Sequence, residues 1–164
     1  MSKKNTKGSY FKTYNKKEQL WIPHRYILYS YWFEFIKIAH KEKRKIDWKF
    51  YRLWGGKKIL DVTFRTWYKH NWKKCLAVKS EYDEGKFPMS SKQVKPDGIR
   101  RYITTYKNKH KDKYEIYDLL VEKGLINTEK KDGKTIEPRV GETVNRYKRN
   151  AEKILDNVCK GVFP

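Results

Sequence analysis

The spacing of apolar residues predicts helices over most of the chain. In the first half they recur at intervals of three and four from about Tyr26 to the charged run 40–45, at Leu28, Trp32, Phe35, Ile36 and Ala39. A short helix is expected over 48–54, stopped by the glycines that follow it. A third helix begins near Asp61 or Thr63, and we expect Trp67 and Trp72 on its buried aromatic face.

The second half shows a similar pattern with one interruption. Helices are predicted around Ile99–Tyr106 and Ile116–Leu120, and the last helix carries the cleanest stripe, at Val144, Tyr147, Ala151, Ile154 and Val158. Between them, the turn pair Asp132-Gly133 separates two short runs and predicts a β-hairpin within 125–137.

These patterns predict a mainly α fold of two small helical modules, the second resembling a helix-turn-helix with a β-hairpin as wing or insertion. We expect a basic flexible arm over 1–25, because apolar periodicity is lacking there, and an aromatic-rich basic helical module over 26–80. An acidic cluster with Gly85 and Pro88 marks 81–95 as a linker, and 96–164 form the helix-turn-helix-like module.

The net charge of the chain indicates what kind of partner it binds. The chain has 40 Lys and Arg against 19 Asp and Glu, a formal net charge of +21. Sixteen of these net charges, and all six Trp, lie in residues 1–80. A small soluble domain needs a net charge of only about 2–8, and cationic side chains gain affinity for phosphate backbones by releasing counterions. Double-stranded DNA is therefore the expected partner; RNA, single-stranded DNA, a homodimer or an acidic protein are the alternatives.

The last helix is the favoured groove-reading element. Its outward positions are rich in basic and amide side chains, whereas the helix over 114–123 carries Glu115, Asp118 and Glu122, which phosphates would repel. In one arrangement 125–137 is an insertion and the last helix reads DNA. In the other, 125–137 is a wing and the helix over 114–123 is presented to the groove.

Residues Thr143–Leu155 resemble the recognition helix of helix-turn-helix proteins, and the segment 157–164 is similar to the ends of DNA-binding proteins of phages and phage-like mobile elements. The resemblance covers about residues 97–164. It implies a helix-turn-helix fold with DNA as partner, and the long segment 125–137 departs from that pattern.

These arguments select a set of nucleic-acid-binding candidates that share positive charge or a side-chain amide. They are Asn145, Arg146, Lys148, Arg149, Lys153, Arg139, Arg100, Arg101, Lys69, Lys73, Lys74, Arg44 and Lys45. The sequence holds no glycine-rich phosphate loop and no paired metal motif, so we expect no catalytic residue, metal or cofactor. Two cysteines and no apolar run of about 18 residues predict a reduced, cytoplasmic protein without a membrane span.

Overall fold

The protein is described here from a computed structural model that covers residues 12–23, 25–90, 94–127 and 139–164. The mainly α prediction is confirmed, and a small antiparallel hairpin accompanies the helices. The strands are β1 (Lys12–Asn15) and β2 (Leu20–Pro23), and the helices are α1 (Tyr26–Lys41), 3-10 helices at Phe50–Trp54 and Gly56–Asp61, α2 (Phe64–Cys75), α3 (Pro96–Lys107), α4 (Lys113–Glu122) and α5 (Val140–Cys159). Within these described ranges, no helix is both long and apolar enough to cross a membrane.

Helix α1 is the centre of the fold. Its apolar residues are buried on several sides, because α2, α3 and α5 all pack against it. The indole of Trp32 donates a hydrogen bond to the Tyr51 hydroxyl at 2.9 Å, and that hydroxyl donates to the carbonyl of Val158 at 2.6 Å. Both polar groups are thereby satisfied inside an aromatic core, where an unpaired group would be costly.

One core crosses the predicted boundary between the modules. Buried residues of α1 and α2 form a single cluster with buried residues of α3 and α5. The predicted linker also takes part: Phe87 is 3% exposed, and its carbonyl accepts a 2.7 Å hydrogen bond from the Tyr29 hydroxyl. The acidic, glycine-containing segment is therefore not a spacer between two separate cores. Periodicity identifies which helix faces are apolar, but it does not say which element covers them.

The predicted flexible arm is corrected over residues 12–23, which form the β1–β2 hairpin; residues 1–11 lie outside the described chain. In its turn the Asn15 side chain accepts a hydrogen bond from the backbone N–H of Glu18 at 3.1 Å, and Gln19 adopts a positive φ of 52°. Strand β2 continues the pairing on its other side through reciprocal backbone bonds between Trp21 and Val78. The hairpin is thus attached to the segment that follows α2.

Helix α5 has the predicted inward stripe, and its two ends pack differently. Its N-terminal half joins α4 and Tyr102 of α3 in a second, smaller apolar cluster that contains Val144 and Tyr147. Its C-terminal half packs into the main core. The hairpin predicted over 125–137 falls outside the described residues from Thr128 onward, so the choice between wing and insertion stays a prediction.

Candidate nucleic-acid interface

Helix α2 forms because its sequence separates an aromatic face from a basic one. The Thr63 side chain caps the helix by accepting a hydrogen bond from the backbone N–H of Thr66 at 3.2 Å. Trp67, 3% exposed, lies against Phe33 of α1 with ring centroids 5.6 Å apart, and its indole donates a 2.7 Å hydrogen bond to the Trp54 carbonyl. The prediction that Trp67 is a core residue is confirmed. Trp72 is only partly buried.

The exposed surface of α2 is rich in cations. Arg65, Lys69 and Lys73 lie opposite Trp67, Lys74 is exposed at the edge of the packed face, and no acidic residue occurs between Phe64 and Cys75. The Lys73 ammonium lies 2.7 Å from a Glu18 carboxylate oxygen of the hairpin turn. Within the described ranges, Arg65, Lys69 and Lys74 form no ion pair. We call Arg65, Lys69, Lys73 and Lys74 the α2 basic face.

Arg65 is the member of this face that sequence reasoning missed. It precedes Lys69 by four positions, so both side chains lie one above the other on the helix surface. The four-residue spacing of Arg65 and Lys69 is the feature of the sequence that indicates their common surface. Arg65, Lys69 and Lys74 have no carboxylate partner within the described ranges, so their like charges repel one another and favour a bound anion.

A second cationic surface lies at the start of α5. Asn145, Arg146 and Arg149 are exposed, as predicted from the inward stripe. Together with Arg139 and Glu142 they line an open cleft of about 400 Å³, in which a guanidinium nitrogen of Arg139 lies 3.4 Å from the Glu142 carboxylate. We call this the arginine cleft.

The remaining candidates on α5 are less uniform. Lys148 is half-buried, so its stem packs against the protein and its ammonium has less freedom than a fully exposed lysine. Lys153 is exposed, but Glu152 and Asp156 lie on the same half of the helix. The cationic character of α5 is therefore concentrated in its first ten residues.

Arg44, predicted to contact a nucleic-acid backbone, is ion-paired within the protein. Its guanidinium is bound by three carboxylates: Glu42 at 3.2 Å, Asp156 at 2.7 Å, and Glu152. The Tyr106 hydroxyl lies among them and bonds to Glu42 and Glu152. A guanidinium held in this way is already neutralised, and a phosphate would have to displace those carboxylates.

This network also shifts the protonation of its members. Partial burial disfavours charge on Glu42, but hydrogen bonds from Lys109, Tyr106 and Arg44 outweigh it and hold the pKa of that carboxyl below its ordinary value. The same competition, with Arg44 as the main donor, lowers the pKa of Glu152. Hydrogen bonds to Glu152 and Tyr106 raise the pKa of Arg44 against the opposing effect of its burial. All three groups stay charged at neutral pH and join α5 to the end of α1.

The other predicted contacts are dispersed. Arg101 of α3 donates a hydrogen bond from Nε to the carbonyl of Leu125, and this bond links α3 to the segment that follows α4. Arg100 on α3 and Lys45 after α1 are exposed, and neither belongs to the α2 basic face or the arginine cleft. In the part of the chain that the structure covers, no three His, Cys, Asp or Glu side chains are grouped to hold a metal ion.

Exposed aromatic rings accompany the basic surfaces. Tyr14 of the hairpin is 43% exposed, and its ring centroid lies 5.2 Å from that of Trp21 on the paired strand. Tyr26 packs edge-on against Tyr68 of α2 with a centroid separation of 4.7 Å. Each ring already has an aromatic neighbour. Comparison with known proteins adds nothing to this geometry, since no family model, characterised protein or solved structure matches the chain.

Proposed function

We propose that this protein binds nucleic acid, with double-stranded DNA as its first partner, through the phosphate backbone. The observation that carries the proposal is the α2 basic face, where Arg65, Lys69 and Lys74 are exposed and form no ion pair within the described residues, while Lys73 beside them pairs with Glu18. Cations in such an array displace condensed counterions from a phosphate backbone, and the released ions provide affinity that is independent of sequence.

The arginine cleft supplies the second part of the proposal. Asn145 and Arg146 lie near the N-terminus of α5, where recognition helices meet base edges in the major groove. An asparagine pairs bidentately with adenine and an arginine with guanine, so these two side chains have the chemistry of direct readout. This role agrees with the resemblance of residues 97–164 to helix-turn-helix proteins of phages and mobile elements. The two free cysteines suit a reducing, cytoplasmic setting.

The proposal is tested by reversing charge on α2. The double variant Arg65→Glu with Lys69→Glu is compared with the wild type on one short duplex over a series of salt concentrations. Both side chains are exposed, so the variant is expected to fold. If each cation contacts one phosphate, the slope of log K against log salt becomes less steep by about 0.9 per residue, or about 1.8 in all.

A matched control distinguishes the effect of the α2 basic face from the effect of the protein's net charge. Lys111 and Lys123 are exposed near the two ends of α4, whose surface carries carboxylates, and Lys111→Glu with Lys123→Glu changes the net charge equally. We expect this control to keep nearly the wild-type slope. Equal losses in both variants would overturn the assignment to α2, and a wild type that binds no duplex at low salt would overturn the proposed function.

The alternatives give different results in the same titration. A single-strand or RNA binder that stacks bases on Tyr14 or Tyr26 would prefer an unpaired strand, and removal of the rings would cost about 1–3 kcal/mol per stacked base. A protein that recognises an acidic polypeptide would bind duplexes of every sequence with equal affinity. A selection from random duplexes that enriches no sequence would therefore remove the groove-reading role of α5.

A further inference from the structure

The α2 basic face and the arginine cleft are on different sides of the molecule. Helix α2 packs on α1 through Phe33, which contacts both Phe64 and Trp67. The next residue of α1, Glu34, pairs with Lys107 of α3, so α3 occupies another side of the same helix. The N-terminal half of α5 packs on α3 and α4, with the rings of Tyr102 and Tyr147 in contact at 5.6 Å.

Helix α1 lies between the cationic surfaces, because α2 and α5 both pack on it. Packed helix axes are about 8–10 Å apart, so the path from α2 through α1 to α5 includes two such steps, and the N-terminal half of α5 continues beyond α1 over α3 and α4. On α2, Arg65, Lys69 and Lys73 lie on the side opposite the buried Trp67, and on α5 the arginines lie opposite the buried Val144 and Tyr147. Each set projects away from the core.

The junction of α1 and α5, which lies between them, has more carboxylates than cations. Glu42, Glu152 and Asp156 face Arg44 and Lys109 there, and the side chain of Asp156 is 65% exposed. A phosphate backbone that ran from one cationic surface to the other across this junction would meet the exposed carboxylate of Asp156, which repels it.

We propose that one copy of this chain holds two separate duplex segments at once, one on the α2 basic face and one in the arginine cleft, and so bridges them. This inference rests on the proposed function, because it requires that both surfaces bind duplex. It goes further by assigning a second nucleic-acid site and an activity, the joining of two segments, that a single interface does not have.

The test uses two short duplexes of different sequence, one with a fluorescence donor and one with an acceptor. The wild type is expected to produce energy transfer between them and to saturate at two duplexes per chain by analytical ultracentrifugation. The α2 variant, Arg65→Glu with Lys69→Glu, and a cleft variant, Arg146→Glu with Arg149→Glu, are each expected to bind one duplex and to lose energy transfer.

The lysine control on α4, Lys111→Glu with Lys123→Glu, is expected to keep both duplexes and the transfer signal. Saturation of the wild type at one duplex per chain would overturn bridging while leaving the proposed function intact. A bridged particle with two protein chains would also overturn it, because two copies with one site each would then be sufficient. Failure of the wild type to bind any duplex would remove the proposed function itself.

Discussion

Two glycines offer a matched test of how the end of α5 is fixed. Gly124 follows α4 with φ 66°, and Gly161 follows α5 with φ 80°. In both, the glycine N–H donates to the carbonyl three residues back, and the N–H of the next residue donates to the carbonyl five residues before it, which is a Schellman cap. They differ in surroundings: a Cβ on Gly124 meets nothing within 4 Å, whereas a Cβ on Gly161 would lie 2.5 Å from Cδ2 of Phe50.

The expected magnitudes follow from this difference. An alanine in the left-handed conformation costs about 1–2 kcal/mol, and Gly124→Ala should lose that amount of unfolding free energy. Gly161→Ala has the same backbone cost and must also force the Phe50 ring aside, and overpacking of this kind costs about 1–3 kcal/mol. We therefore expect a loss of about 2–5 kcal/mol for Gly161→Ala. In a chain of this size each kcal/mol lowers Tm by about 2–4 °C.

Urea unfolding followed by tryptophan fluorescence measures both variants. The decisive comparison adds Phe50→Ala to each background, because removal of the ring should reduce the cost of Gly161→Ala to that of Gly124→Ala. A Gly161→Ala variant that is no less stable than Gly124→Ala would refute the packing of this cap on Phe50. So would an unchanged cost after the ring is removed.

Three further predictions follow from the core, the charged network and the cleft. Trp67→Ala should lose about 3–5 kcal/mol of unfolding free energy in thermal melts, and Trp72→Ala clearly less; equal losses would contradict the burial difference. Folding lowers the pKa of Glu42, so the ionised carboxylate stabilises the protein above the ordinary pKa of 4.5, and this stabilisation is lost as the pH falls through the folded pKa. The unfolding free energy of Glu42→Gln should therefore depend less on pH in this acid range than that of the wild type. If the unfolding free energy of Glu42→Gln falls with pH as steeply as that of the wild type, the ionisation of Glu42 does not contribute to stability. Arg146→Ala should cost about 1–3 kcal/mol on a preferred duplex and relax selectivity at one base pair, whereas an equal loss on every duplex would assign Arg146 to the backbone.

The sequence predicts the helices well because their apolar spacing is regular. The stripe from Val144 to Val158 anticipates which side of α5 is buried. The hairpin at 12–23 is missed for a physical reason: its strands are four residues long, and its turn has no glycine, since Asn15 closes it with a side-chain bond and Gln19 takes the positive φ. Short strands with such a turn have little local signature.

The candidate site is only partly predictable for a different reason. Charge composition correctly marks α2 as cationic, because its positive residues have no acidic neighbours in sequence. It does not show that Arg44 is ion-paired within the protein, because two of its three carboxylate partners, Glu152 and Asp156, are more than a hundred positions away. Which cations are neutralised within the protein depends on tertiary contacts, and these contacts are absent from any local window.

The position of α1 at the centre of the core has a consequence for the protein during its synthesis. The face of α1 that contains Trp32 is covered by residues from as far along the chain as Phe163, and Arg44 meets Glu152 across 108 positions. Ribosomes add about 5–20 residues per second, so Phe163 is made about 7–26 s after Trp32. During that interval this face of α1 is incompletely covered, and we expect it to be open to chaperones or to other nascent chains.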